Sequence, residues 1–362
     1  MLGTDPQGTD SLNTDSLNTD PLNTDPLNTR AVQELMTNEK RTGSVFLRFL
    51  QRLLQLGLIA AWLGIALRWL GSWHWALDLC SHFYLQFTAI ALAGTVACIG
   101  ACDKKILVIG VVAWLMLVPS ALGLYFGSAS PTIASTQNLR VVSCNVLTSN
   151  SNKNAVLEFL HQSEADIALL MEVDAEWSQA IRGLAEIYPH QLHEAREDNF
   201  GLVLLAKTAW QSAEIIRLDN AGIPSVEAMF EIGGKQLRFI GTHPLPPMGR
   251  DYSSQRNLHF VNLAKRVRES ENSTPTVVVG DLNCTSWSHY FRKLLYDSKL
   301  RDSRQGFGIQ RTWPTSMKLS ILGSMRIPID HALVSSEVSV TNRRVGPNIG
   351  SDHYPIIVDV GF

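Results

Sequence analysis

The chain has 362 residues, 45% of them hydrophobic, with 31 Lys and Arg set against 33 Asp and Glu. That length allows a membrane region plus one large domain, or two or three small domains, and the near-neutral balance gives no whole-chain sign of a polyanion partner. The five Cys show no CxxC or Cys/His spacing suited to zinc, and they do not fix the redox compartment.

Residues 1–30 are low in complexity: Thr9-Asp10-Ser11-Leu12-Asn13 recurs nearly unchanged every five residues, Ser and Pro exchanging at one position. One Leu per repeat cannot bury enough to offset the entropy of ordering the chain. Residues 1–45 are therefore expected to form a disordered segment. Residues 46–127 read as a membrane region. Leu53–Leu70, Phe83–Ala101 and Ile106–Phe126 are three apolar stretches of roughly 20 residues each, the length of a transmembrane helix. The first carries Gln55 and Arg68, the latter beside Trp69, Trp73 and Trp75, which suits an interfacial aromatic belt with a snorkelling cation. Arg30, Lys40, Arg41, Arg48 and Arg52 precede the first stretch, and Lys104 and Lys105 separate the second from the third. By the positive-inside rule the N-terminus is expected in the cytoplasm, and three crossings carry everything after Phe126 to the non-cytoplasmic side.

Residues 128–138 read as a linker and residues 139–362 as an α/β domain. Strands are expected over Leu139–Val146, Asp166–Met171, Gly201–Ala206, Val226–Ile232, Gln236–Thr242, His331–Val334 and Ile356–Val360, with Gly233-Gly234 as a hairpin turn. Helices are expected over Asn154–Gln162, Ala175–Leu184, Ser254–Glu269 and near Trp287–Tyr296. The clearest strand is Thr276-Val277-Val278-Val279, closed by Gly280-Asp281-Leu282-Asn283. A Val run that short reads as buried on both faces. Asp281 and Asn283 leave its end two residues apart, on one side of an extended chain. The carboxyl ends of buried strands are where α/β folds place their ligands.

Other strand ends also carry polar side chains: Asn145, Glu172, His243, Asp330 with His331, and Asp352-His353 before the last strand. Each alone has a plain structural explanation as a cap, a first helical turn or a satisfied core residue. Together they offer carboxylates, amides and imidazoles but no thiolate, a donor set suited to Mg2+ or Mn2+ rather than zinc. Such a set points to metal-assisted hydrolysis at phosphorus, which needs a nucleophilic water, a base and stabilisation of developing charge.

The ordered set Cys144-Asn145-Val146, Met171-Glu172, Thr242-His243, Gly280-Asp281-Leu282-Asn283, Ile329-Asp330-His331 and Ser351-Asp352-His353 resembles the endonuclease/exonuclease/phosphatase superfamily. That superfamily includes pancreatic deoxyribonuclease, exonuclease III-type repair enzymes, neutral sphingomyelinases and inositol-polyphosphate 5-phosphatases, and membrane-attached bacterial members have a similar layout. The resemblance covers Leu139 to Phe362 and implies an α/β four-layer sandwich of two mixed β-sheets flanked by helices, preceded here by three transmembrane helices. It also implies roles. Glu172, with Asn145 and Asp352, would hold a divalent metal. His353, oriented by Asp330, would be the general base or a phosphate contact. Asp281 and Asn283 would position water and phosphate, and His243 would stabilise the charged transition state. In the family an aromatic residue often follows the equivalent of Asp330, so His331 is a departure whose role stays open. The loop Pro244–Arg250 resembles that of membrane-attached members, which makes Arg250 and Arg256 candidate phosphate contacts, with an exposed or helix-surface Arg as the structural alternative. Asp198-Asn199-Phe200-Gly201 either makes a turn or reaches the cleft, and Trp287 reads as core.

Residues 136–362 hold 23 Lys and Arg against 24 Asp and Glu. Duplex DNA is bound largely through phosphate contacts from a basic face, so tight duplex binding is disfavoured. The expected function is that of a membrane-anchored, metal-dependent phosphoesterase acting on a lipid head group, a small phosphodiester or nucleic acid. The alternatives are a nuclease of DNA or RNA, and a catalytically silent receptor or scaffold, which would be expected to have lost some of the six motifs. The sequence points to no protein partner.

Overall fold

Strand β1 (Asn138–Asn145) sends Leu139 and Val141 into one apolar layer and Val142 and Cys144 into another. The same alternation holds in β2 (Ile167–Met171), β4 (Leu202–Ala206) and β8 (Thr276–Asp281), in which every residue is buried. Burial of both faces is why these strands read as unbroken apolar runs. The computed structural model describes residues 26–99, 104–127, 137–269, 274–316 and 325–362, and among these the strands form two six-stranded sheets.

The first sheet has the order β11 (Ser339–Val345), β12 (Ile356–Gly361), β1, β2, β4, β3 (His190–Glu194). The second has the order β5 (Trp210–Arg217), β6 (Pro224–Ile232), β7 (Lys235–Thr242), β8, β10 (Asp330–Val334), β9 (Arg301–Asp302). Each is mixed: β1 runs parallel to β2 and antiparallel to β12, while β8 runs parallel to β7 and antiparallel to β10. The sheets face each other across a core that includes Leu169, Met171, Phe239 and Val279. Helices α5 (Lys153–Ser163) and α6 (Ala175–Arg182) cover the outer face of the first sheet through Phe159, Leu160 and Trp177. Helices α7 (Arg250–Arg268) and α8 (His289–Ser298) cover the second through Phe260, Leu263 and Phe291. The two mixed sheets flanked by helices are thus those expected. The parallel pairs set up the site, because the carboxyl ends of β1 and β2 lie side by side, as do those of β7 and β8. Gly280 allows the second junction: a Cβ there would stand 1.7 Å from the Thr242 carbonyl oxygen.

The chain divides into two units, Met1–Leu53 and Leu54–Phe362. Most of the pentapeptide repeat lies outside the described residues, and helix α1 (Pro26–Trp69) begins within the segment expected to lack structure. Residues 128–136 of the expected 128–138 linker also lie outside them, and its last residue, Asn138, opens β1. The expectation of three membrane helices needs correction. Among the described residues one helix, Gln33–Trp69 within α1, is long and apolar enough to cross a bilayer. The second expected stretch, whose residues 100 and 101 are outside the described set, coincides with α3 (Tyr84–Ile99), which is bent by 62° from α2 (Trp75–His82). The 16 residues of α3 reach about 24 Å, short of the roughly 30 Å hydrocarbon core. Helices α2 and α3 qualify only if the bent pair is counted as one span. The third stretch falls on α4 (Lys104–Leu122), which packs against α3 and is not among the candidates. Leu56 and Leu63 of α1, Val96 of α3, and Val108 and Leu115 of α4 are nonetheless exposed.

Candidate active site

The ends of β1, β2, β7 and β8 bring Asn145, Glu172, His243 and Asp281 together, and the loop before β12 lays Asp352 and His353 beside them. Asn145 Nδ2 donates to Glu172 Oε1 at 2.7 Å and reaches Asp281 Oδ2 at 3.4 Å. Its Oδ1 accepts from the Leu147 N–H at 3.1 Å, so the amide turns its NH2 group to the carboxylates. Glu172 itself sits at φ +63°, its carbonyl held by Thr148 Oγ1–H at 2.8 Å.

Asp330 opens β10 directly opposite Asp281 of β8, and its Oδ2 accepts the Nδ1–H of His353 at 3.0 Å. His353 Nε2 and His243 Nε2 lie 3.6 and 3.5 Å from Asp281 Oδ2. Asp281 Oδ1 accepts the Asn283 N–H at 2.9 Å, and Asn283, at φ +49°, donates Nδ2–H to the Pro244 carbonyl at 3.0 Å. One carboxylate therefore joins two imidazoles and a backbone amide. Potential ligand atoms of Asp281, Asp330 and His353 lie within 4.8 Å of one another.

Burial opposes charge on all of these groups, and their neighbours decide the outcome. Burial alone would lower the His353 imidazole, but the Asp330 and Asp281 carboxylates push it up to about 10. His243 is raised despite its burial by the Asp281 carboxylate. Asp281, which burial would raise, is held down to about 2 by the two imidazoles. Asp330 goes the other way: burial raises it more than His353 lowers it.

Asp352 Oδ2 accepts Trp313 Nε1–H at 2.9 Å, while its Oδ1 is buried without a hydrogen-bond partner. Glu172, Asp281 and Asp352 all line the cleft, and no Lys or Arg is among the described residues that do so. This surplus of hard oxygen donors, one of them unpaired, fits a divalent cation such as Mg2+ or Mn2+. Glu172 and Asp352 would hold it, and Asn145 would join them if its amide turned over.

Eight of the ten residues expected in the site are therefore brought together: Asn145, Glu172, His243, Asp281, Asn283, Asp330, Asp352 and His353. Arg250 and Arg256 are not. Arg250 is exposed at the start of α7, outside the cleft lining. Arg256 is buried, with Nη2 on Asp78 Oδ2 at 2.9 Å, so its charge is already answered within the protein. His331 follows Asp330 on the opposite face of β10, where its Nε2 lies 2.7 Å from the Cys284 carbonyl and its ring 4.4 Å from Phe291. It is a structural residue. Phe200 does reach the site, 5.3 Å from His243, and Trp287 packs in a core cluster. Two positioning residues were given no role by the sequence, although Ser351 belongs to one of its motifs. Ser351 Oγ–H donates to the Asn145 carbonyl at 2.7 Å and accepts the His353 N–H at 3.0 Å, tying the last loop to β1. Trp313, which fixes Asp352, gave no sequence signal.

Carboxylates, amides and paired imidazoles at the joined ends of two packed mixed sheets define a site for phosphoester hydrolysis. Residues 142–353, more than half of the chain, match the sequence model of the Endonuclease/Exonuclease/phosphatase family, and the chain belongs to that family of hydrolases acting on phosphoester bonds. Solved structures share the fold. Truncated TDP2 from Caenorhabditis elegans is 19% identical, with a TM-score of 0.52 over 63% of this chain and 99% of its own. D. rerio TDP2, solved with a single-strand DNA product, is 15% identical, with a TM-score of 0.52 over 62% of this chain and 100% of its own. A family protein from Bacteroides vulgatus is 18% identical, with a TM-score of 0.52 over 63% and 100%. No curated protein matches the chain.

Proposed function

We propose that this chain is a membrane-attached, divalent-metal-dependent phosphodiesterase working by water attack, with its catalytic domain on the non-cytoplasmic side. The observation that carries the chemistry is the His353–Asp330 pair, whose free Nε2 faces Asp281 beside the Glu172–Asn145 contact. A cation held by Glu172 and Asp352 would supply Lewis-acid polarisation of the phosphate. Asp330 holds the Nδ1–H of His353 and so leaves Nε2 to exchange a proton with water. Asp281 and Asn283, locked to each other, orient that water and the phosphate. His243, whose pKa the Asp281 carboxylate raises against its burial, stands where negative charge develops. Membrane attachment is supported by α1 and by the exposed Leu and Val side chains of α1, α3 and α4, since soluble proteins rarely leave such surface in water. A nucleic-acid substrate, suggested by the D. rerio neighbour, has against it the balanced domain charge and a cleft lined, among the described residues, by no Lys or Arg.

The test is hydrolysis of bis(para-nitrophenyl) phosphate by the full chain in detergent. Activity should require Mg2+ or Mn2+, vanish with chelator, and fall by about a hundredfold or more in His353→Ala and Glu172→Ala. Unchanged rates in both variants would overturn the assignment.

A further inference from the structure

Helix α2 forms one wall of the catalytic cleft and is fixed in that place. Its Asp78 accepts from Arg256 Nη2 at 2.9 Å, from Ser288 Oγ at 2.9 Å and from the His289 N–H at 3.2 Å, at the start of α8. Carboxylate and guanidinium are 1% and 0% exposed, so this is a buried ion pair and not a surface contact. One turn later His82 Nδ1 accepts the Thr285 N–H at 3.2 Å. Trp75 and Leu79, four residues apart on α2, and Phe83 just beyond its end are left lining the cleft. Met248 and Tyr252, largely exposed, also line it.

Floor and walls differ in kind. The floor offers two imidazoles and a cluster of carboxylates, enough to take one phosphate with its cation. The walls, Asp198 and Asn199 aside, offer mainly apolar and aromatic surface, in a cleft of about 710 Å³. A nucleic-acid strand would bring successive phosphates to walls that hold no Lys or Arg among the described residues. The wall also continues through Phe83 into α3, whose Ile90 and Val96 are exposed.

We propose that the substrate is an amphiphile, a membrane-lipid phosphodiester whose phosphate sits on the floor and whose alkyl chain lies against Trp75, Leu79 and Phe83. This rests on the phosphodiesterase reading above. Water adds its hydroxyl to phosphorus, the P–O bond to the leaving alcohol breaks, and the leaving oxygen takes the proton.

The full chain in detergent is assayed with para-nitrophenyl alkyl phosphates (butyl, hexyl and octyl), each below its own micelle-forming concentration, and with a single-stranded oligonucleotide. Burying a methylene favours binding by up to about fourfold, so kcat/KM should rise about tenfold or more from butyl to octyl. That rise should flatten in Leu79→Ser and Phe83→Ser, and in Met248→Ser, whose exposed side chain leaves folding unaffected. Vesicles carrying a phospholipid should be hydrolysed, and the oligonucleotide should be the poorest substrate. A flat chain-length series in the wild type, an unchanged rise in all three variants, or an oligonucleotide preferred over octyl would overturn the lipid assignment while leaving the phosphodiesterase in place. Hydrolysis of every substrate surviving His353→Ala, or no hydrolysis of any, would defeat the phosphodiesterase reading itself.

Discussion

Glu172 holds its carboxylate in the cleft at the cost of a left-handed backbone, φ +63°, which costs an L-residue about 1–2 kcal/mol. Glu172→Gly and Glu172→Ala both remove the carboxylate, but only Gly adopts that conformation freely. Gly should therefore unfold at the higher temperature, by a margin worth about 1 kcal/mol, with both variants inactive. Equal melting temperatures would mean that the conformation is not strained. His353 gives a second residue-scale prediction. Its pKa of about 10 lies above the ordinary histidine value, because Asp330 and Asp281 overcome its burial. In cation-free protein the stabilisation from this shift is complete below about pH 6.5 and is lost as pH rises through about 10. A cation bound among the carboxylates opposes their field, so Mg2+ should lower the His353 pKa and release protons. Histidine-selective NMR titration with and without Mg2+ measures this, and an unmoved resonance would place the cation elsewhere. At this scale the sequence was legible where a side chain follows an apolar strand, as at Asn145, Glu172, His243 and Asp281. It misled at Arg256, whose position after a site histidine suggests a phosphate contact, because its partner Asp78 lies 178 residues away.

The strands absent from the sequence reading are β3, β5, β9 and β11, and these are the four edges of the two sheets. An edge strand with an exposed face needs no apolar run: His190–Glu194 and Ser339–Val345 are mostly polar, and β5 is largely half-buried or exposed. Central strands, buried on both faces, announce themselves. Helix α2 was missed for a different reason, since Trp75–His82 reads as a loop between apolar stretches until Asp78 is seen to meet Arg256, Ser288 and His289. That contact predicts a stability effect. Asp78→Ala leaves Arg256 buried without its counter-ion and should destabilise the protein by about 3–5 kcal/mol, whereas Asp78→Leu with Arg256→Met should recover most of the loss. Thermal unfolding of the full chain in detergent compares the two. A single variant as stable as wild type would mean that α2 is not anchored through this pair.

Across the whole molecule, the same contact constrains topology. Asp78 and Arg256 can meet only if α2 and the catalytic layers share one side of the membrane. In the membrane-attached arrangement proposed, helices α3 and α4, which join them, would then cross an even number of times, either as two crossings or as a hairpin that dips in and returns. If α1 crosses the bilayer, as proposed, replacing the three expected spans by one leaves the proposed side of the catalytic domain unchanged. Arg41, Arg48 and Arg52 precede or begin the most apolar part of α1 and favour the cytoplasm for that end. Alkaline phosphatase fused after Gly71 and after Phe362 should therefore be active in both cases, and a fluorescent protein fused at the N-terminus should fluoresce in the cytoplasm. An active fusion at Gly71 with an inactive one at Phe362 would separate α2 from the catalytic domain, and with it remove the apolar wall on which the lipid assignment depends.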